Sequence, residues 1–211
     1  MKNTEKDIFY KYLPLHLALL IPIPGRFVFG ITIVIEHLLL TLVGTLINSL
    51  INKLKLKELK TVIILLTMIS ATIFFRQILV VTYTEIALSL GLLIFLPPVS
   101  LFIIQIIFSD LENPLIRRLK TNSIQTAIFS LNTLIFFLFR DIAGYGTFTF
   151  FGKNHMFTEK ILFDQTSVGI FSFFATLPGV LILAATLLFC NLYFHEKIKI
   201  LRRMEKQNDL H

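Results

Sequence analysis

The sequence predicts an all-α integral membrane protein, with six transmembrane helices arranged as an inverted 3+3 repeat in which helices one and four are broken. Three observations predict it. The first is a series of apolar runs, each close to the ~20 residues that a helix rising ~1.5 Å per residue needs to cross a bilayer. They occupy most of the 211 residues, of which 55% are hydrophobic, so 1–211 reads as a single polytopic membrane domain. The second is the placement of basic residues between the runs. Lys2, Lys6, Lys11, Lys53, Lys55, Lys57, Lys60, Arg117, Arg118, Lys120, Lys197, Lys199, Arg202, Arg203 and Lys206 fall on one side, against Arg26, Arg140, Lys153 and Lys160 on the other. Basic residues collect in cytoplasmic loops because carrying them across the bilayer is unfavourable, so both termini are expected in the cytoplasm. The third is a pair of proline-rich interruptions, one opening each half of the chain.

The elements follow in order. Span one covers about Phe9 to Gly25 and is interrupted by Pro14, Pro22 and Pro24. Its lysine-led start is superficially like a secretory signal. The stretch ends Ile21-Pro22-Ile23-Pro24-Gly25-Arg26 with no small-residue cleavage pattern, so a retained span is expected. Span two covers Phe27 to Ile51, and the basic loop Asn52 to Lys60 follows. Span three covers Thr61 to Val81. A short turn leads to span four, Ile86 to Phe108, broken by Pro97-Pro98. A polar loop from Ser109 to Asn122 precedes span five, Ser123 to Phe139. A glycine- and phenylalanine-rich segment, Ile142 to Gln165, is expected outside the membrane. Span six covers Thr166 to Tyr193 and contains Pro178-Gly179, and a charged tail closes the chain. Tyrosine, which favours the headgroup level, agrees with this map: Tyr10, Tyr12 and Tyr193 fall at inner boundaries, Tyr83 and Tyr145 at outer ones.

The halves, about 1–83 and 84–211, each open on a broken span. Three spans per half is odd, so the second half inserts upside down relative to the first. Inverted repeats of this kind place sites near the midplane where discontinuous helices meet.

Ionisable residues inside spans are costly and usually face a partner or a cavity. Glu36, His37 and Arg76 are the candidates. Glu36 and Arg76 fall at depths within about two helical turns of each other, which allows a salt bridge or a shared ion path. His37 points about 100° away from Glu36. The net charge of +7 sits in short loops beside apolar spans, which excludes nucleic-acid binding in favour of anionic lipid. The one cysteine, Cys190, permits no intrachain disulfide and reads as a small packing residue. His155, His195 and His211 read as solvated loop or tail residues. No phosphate-cradling loop, nucleophile elbow or metal-ligand spacing is present.

Three stretches carry a resemblance: Leu56–Pro97, Arg140–Gly152 (RDIAGYGTFTFFG) and Leu177–Ile182 (LPGVLI). They resemble the Rnf/Nqr family of six-span membrane subunits, and the chain is most similar to the Rnf E and Nqr D subunits. The family-motif residues here are Arg140, Asp141, Gly144, Gly146, Gly152, Pro178 and Gly179. The resemblance implies a bacterial cytoplasmic (inner) membrane, an inverted Rnf A/Nqr E-like homologue as partner, and flavin-bearing subunits in an ion-translocating electron-transport complex. The chain would be at most one subunit of a membrane oxidoreductase.

Family members carry a cysteine in each broken helix, and those cysteines hold an intramembrane [2Fe–2S] cluster. Here the first position falls at His16, the one cofactor-ligand candidate, and the second near Val99 to Ile103, which offers Ser100 but no cysteine. Pro14, Pro97 and Pro98 mark the breaks. Without the cysteines, no cofactor is expected from this chain alone. Two other readings stay open: a cofactor-free small-solute or ion carrier on the same scaffold, and an assembly subunit with no chemistry of its own.

Overall fold

Helix α1, Phe27–Lys53, forms from a run rich in β-branched residues that would favour strand in water. Away from water, a helix satisfies every backbone group within its own segment, and that requirement outweighs the propensity. The structure is a computed structural model. It describes Pro14 and residues 16–56, 58–100, 103, 107, 114–153, 155–163 and 171–208, with backbone alone for residues 171, 195, 198, 199 and 201–208. Residues 16–20 are helical and precede α1. After α1 come α2 (Lys60–Thr82), α3 (Thr84–Leu90), two 3-10 turns at Leu93–Phe95 and Pro97–Val99, and α4 (Leu115–Tyr145). Strands β1 (Thr147–Phe151) and β2 (Phe157–Ile161), a 3-10 turn at Phe171–Ala175 and α5 (Leu177–Asn208) complete the described chain.

The molecule is mostly helical. Among the described residues four helical segments are long and apolar enough to cross a membrane: α1, α2, α4 and Leu177–Phe194 of α5. The first two match spans two and three closely. Span one falls largely on residues outside the described set. Within that set, Pro14 is itself helical, and the interruption comes later, at Ile21–Arg26 where Pro22 and Pro24 fall. Span four is broken earlier than its prolines suggest. Its first helix stops at Leu90, because Gly91 takes a φ of 51° that a side chain would resist, and Ile103 and Ile107 beyond the break are again helical. Pro97 and Pro98 then sit buried in a 3-10 turn.

Three boundaries differ from expectation. Helix α4 starts eight residues before Ser123 and runs six past Phe139. Its polar first turns lie outside the apolar run but still continue the helix. Pro178 and Gly179 open α5 instead of interrupting a span, and proline is tolerated there because first-turn N–H groups need no intrahelical partner. The glycine- and phenylalanine-rich segment is not all-α. It folds as an antiparallel hairpin pairing Thr147 with Ile161 through Phe151 with Phe157.

Helices α1 and α4 pack against each other most extensively, and α2 joins them on the other face of α1. Their shared core includes Leu40, Phe129, Phe136 and Phe137.

Candidate functional site: a buried polar centre between the broken segments

The site is assembled from four places in the chain. Helical residues 16–20 supply His16, α1 supplies Glu36 and His37, α2 supplies Thr72, and the turn after Pro97–Val99 supplies Ser100. All five side chains are buried. Nδ1 of His16 shares a hydrogen bond with the Ser100 hydroxyl, 84 positions away. Ser100 reaches it because the prolines end the turn there: its backbone is extended, with ψ 123°. The rings of His16 and His37 lie 4.6 Å apart between centroids, and Phe129 from α4 sets its edge against both, at 4.1 and 5.6 Å.

Glu36 and His37 are neighbours in sequence but face different helices, as the 100° step between adjacent residues requires. Oε1 of Glu36 accepts a hydrogen bond of 3.1 Å from the Thr72 hydroxyl on α2, while its second oxygen has no partner among the described residues. The expected Glu36–Arg76 salt bridge is not formed. Thr72 lies one turn short of Arg76 on the same helix and takes the carboxylate instead, and Arg76 is half-buried. The Ile33 carbonyl, one turn back, approaches the His37 ring, but neither ring nitrogen has a partner in hydrogen-bonding geometry.

The Arg140–Gly152 residues build a different structure about three turns away, the distance from Phe27 to His37 along α1. Asp141 Oδ2 accepts bonds from the Phe27 N–H (3.0 Å), the Thr149 N–H (2.8 Å) and the Thr149 hydroxyl (2.6 Å), and Oδ1 accepts from the Thr147 hydroxyl at 2.7 Å. Asp141 therefore caps the N-terminus of α1 from another helix, where a negative charge is favoured. Arg140 donates to the Ile23 carbonyl at 2.5 Å, satisfying backbone that the first interruption leaves open. Gly146 ends α4 in the left-handed region, with φ 67°. Gly144 meets the backbone of Ala175, Gly152 the Thr158 hydroxyl, and Gly179 the Phe173 carbonyl. Pro178 lies in the first turn of α5.

The donor set of the centre is two imidazoles, two hydroxyls and one carboxylate. An iron–sulfur cluster is held by thiolates, and although a pair of imidazoles can replace them on one iron, the other iron still takes two cysteines. Cys190 lies exposed on α5. The chain's own residues therefore do not fit a [2Fe–2S] cluster, and no chemistry is assigned through one.

Sequence reading missed Thr72 and Phe129, and it missed a polar face on α1 below His37. Thr41, Thr45 and Asn48 are all buried there, facing Thr126 and Asn122 of α4. The signal was present as polar residues recurring at helical spacing inside an apolar span. No protein-family model and no curated protein matches the chain.

Proposed function

We propose that the chain is a diverged membrane subunit of an Rnf/Nqr-type ion-translocating electron-transport complex. In this reading it crosses a bacterial cytoplasmic membrane six times as an inverted repeat, with both termini inside. The contact of His16 with Ser100 supports the reading best. His16 is where the resemblance locates the first family ligand, Ser100 lies in the stretch from about Val99 to Ile103 where it locates the second, and the two side chains touch. The chain would work beside an inverted Rnf A/Nqr E-like homologue and flavin-bearing subunits. Its share is to hold the membrane framework and an ion-handling centre, without ligating a cluster itself.

Purification from native membranes in mild detergent tests this. The expected result is co-purification with an inverted homologue and flavin subunits. A chain that comes away with no redox subunit overturns the reading. Stoichiometric iron with an EPR signal lost in His16→Ala would overturn the claim that this chain ligates no cluster.

A second reading, a cofactor-free ion or small-solute carrier, is favoured by the open oxygen of Glu36 and the open nitrogens of His37. Cation flux into proteoliposomes of the pure chain tests it. Flux that is unchanged in Glu36→Gln removes Glu36 from any such path.

A further inference from the structure

A column of polar side chains runs from the histidine pair toward the Lys53 end of α1. His37, Thr41, Thr45, Asn48 and Asn52 follow at intervals of four, four, three and four residues, which is one face of a helix. The first four are fully buried and Asn52 is half-buried. The column covers roughly 22 Å at ~1.5 Å per residue. It is linked sideways at each level. The hydroxyls of Thr41 and Thr126 lie 2.9 Å apart, Asn122 donates to the Thr45 hydroxyl at 3.0 Å, and Asn48 donates to the Ile107 carbonyl. Asn52 donates to Asn48 at 3.4 Å.

Polar side chains between membrane helices also serve as packing contacts. Two further observations point beyond packing. His37 is fully buried, stands one turn above Thr41 on the same face, and meets no partner in hydrogen-bonding geometry at either ring nitrogen, although the Ile33 carbonyl approaches the ring. Asn122, also fully buried and bonded into the column through its amide, leaves its carbonyl oxygen unbonded. Buried polar groups are normally paired, with protein or with water. Thr45 donates to the Thr41 carbonyl and Asn48 to that of Ile107, so a water file along this face would pair with the lone pairs of these groups and with the open atoms of His37 and Asn122. In the opposite direction Ile33, Phe136 and Phe137 are buried, and the buried hydroxyls of Thr32 and Thr133 bond back to the carbonyls of their own helices.

We infer that this column is a one-sided proton path, leading from the Lys53 end of the molecule to the His16–His37 pair and stopping there. The ligand is the proton itself, held by one imidazole of the pair. Two protonated rings at this separation would repel strongly, so the pair holds one proton at a time. The groups facing it are His16 and Ser100 from the broken segments and Phe129 from α4. Glu36 turns toward α2, where Thr72 meets it, and Arg118 of α4 and Lys53 stand at the far end. The inference deepens the proposed ion-handling role, and it relies on that reading only for placing the Lys53 end in the cytoplasm.

Cysteines placed in the full chain, with Cys190→Ser as background, test the path in oriented vesicles. Silver ion is added from one side, and the remaining free thiols are then labelled after denaturation. Thr45→Cys and Asn48→Cys are expected to lose labelling when silver is added from the Lys53 side only, while Ile33→Cys keeps it from both sides. Full labelling of Thr45→Cys and Asn48→Cys would show dry packing and overturn the path, as would protection from the opposite side or equal reaction of Ile33→Cys.

A second measurement reads the proton directly, in ¹⁵N-histidine spectra of the chain in bilayers. His16 and His37 are expected to take up one proton between them as pH falls, and His37→Gln should remove the coupled step. Rings that titrate independently, or not at all while the fold persists, overturn the assignment. Neither measurement depends on redox subunits, so failure of the path and failure of the subunit reading are separately visible.

Discussion

Asp141 illustrates how one residue joins distant parts of this chain. Its carboxylate collects four hydrogen bonds, two of them from backbone N–H groups and one of those from the start of α1, 114 positions away. Removing it orphans several buried donors at once, each costing about 1–3 kcal/mol. Asp141→Ala should therefore lower stability by about 3 kcal/mol or more, read as a fall in the thermal midpoint in detergent. Nearby, Arg26 and Glu159 form an ion pair at 2.8 Å, with side chains 22% and 38% exposed. Solvent screens such pairs, so Glu159→Gln should cost only about 0–1 kcal/mol in the same assay. A comparable loss in the two variants would mean that the cap is not the anchor. The sequence motif singled out Asp141, yet nothing local could reveal its partner. The capped helix belongs to the other half of the chain.

The elements were legible where hydrophobicity and helix coincide, as in α1 and α2. They were less legible where those properties separate. The first two turns of α4 carry Arg117, Arg118, Lys120 and Asn122, so they read as loop, although Arg118 and Asn122 are buried on its inner face. The hairpin was hidden by an inverted pattern. Thr147 and Thr149 point inward to Asp141, and Phe150 points outward, the reverse of an ordinary strand beside a core. Within the centre, Glu36 and His37 were visible as costly residues in apolar runs, and His16 through the family resemblance. Their true neighbours, Thr72 and Phe129, look like ordinary span residues until the helices are docked. That docking depends on close approach at Gly30, where an added Cβ would lie 2.6 Å from Phe137 Cβ. Glycine to alanine inside a helix ordinarily stabilises by about 0.5–1 kcal/mol. Gly30→Ala should instead destabilise by about 1–3 kcal/mol through overpacking, and adding Phe137→Leu should recover part of the loss. If Gly30→Ala alone raises the unfolding midpoint, the α1–α4 contact is looser than it stands here.

At the scale of the whole molecule, α1 and α4 form the inner pair and α2 and α5 the outer ones. Some 61% and 50% of the apolar windows of the inner pair are buried, against 28% and 17% for the outer helices. Outer faces this apolar suit lipid contact. The bonds that cross between the halves fall along the inner pair at three levels: Asp141 to Phe27 and Arg140 to Ile23 at one end, His16 to Ser100 midway, and Asn122 to Thr45 and Asn48 to Ile107 toward the other. These levels fix a direction without reference to charge. The hairpin β1–β2 joins α4 beside the start of α1, whereas the Lys53–Lys60 connection leaves α1 at its far end, roughly 40 Å away for a helix of this length. If α1 crosses a bilayer, the two must lie on opposite sides. Glu58→Cys and Lys153→Cys, each in the Cys190→Ser background, should then label with an impermeant maleimide from opposite faces. Glu58→Cys is expected to react only in inside-out vesicles, because the basic residues around it favour the cytoplasm. Labelling of both from one face would remove the crossing of α1, and with it the basis for two reversed halves meeting at their interruptions.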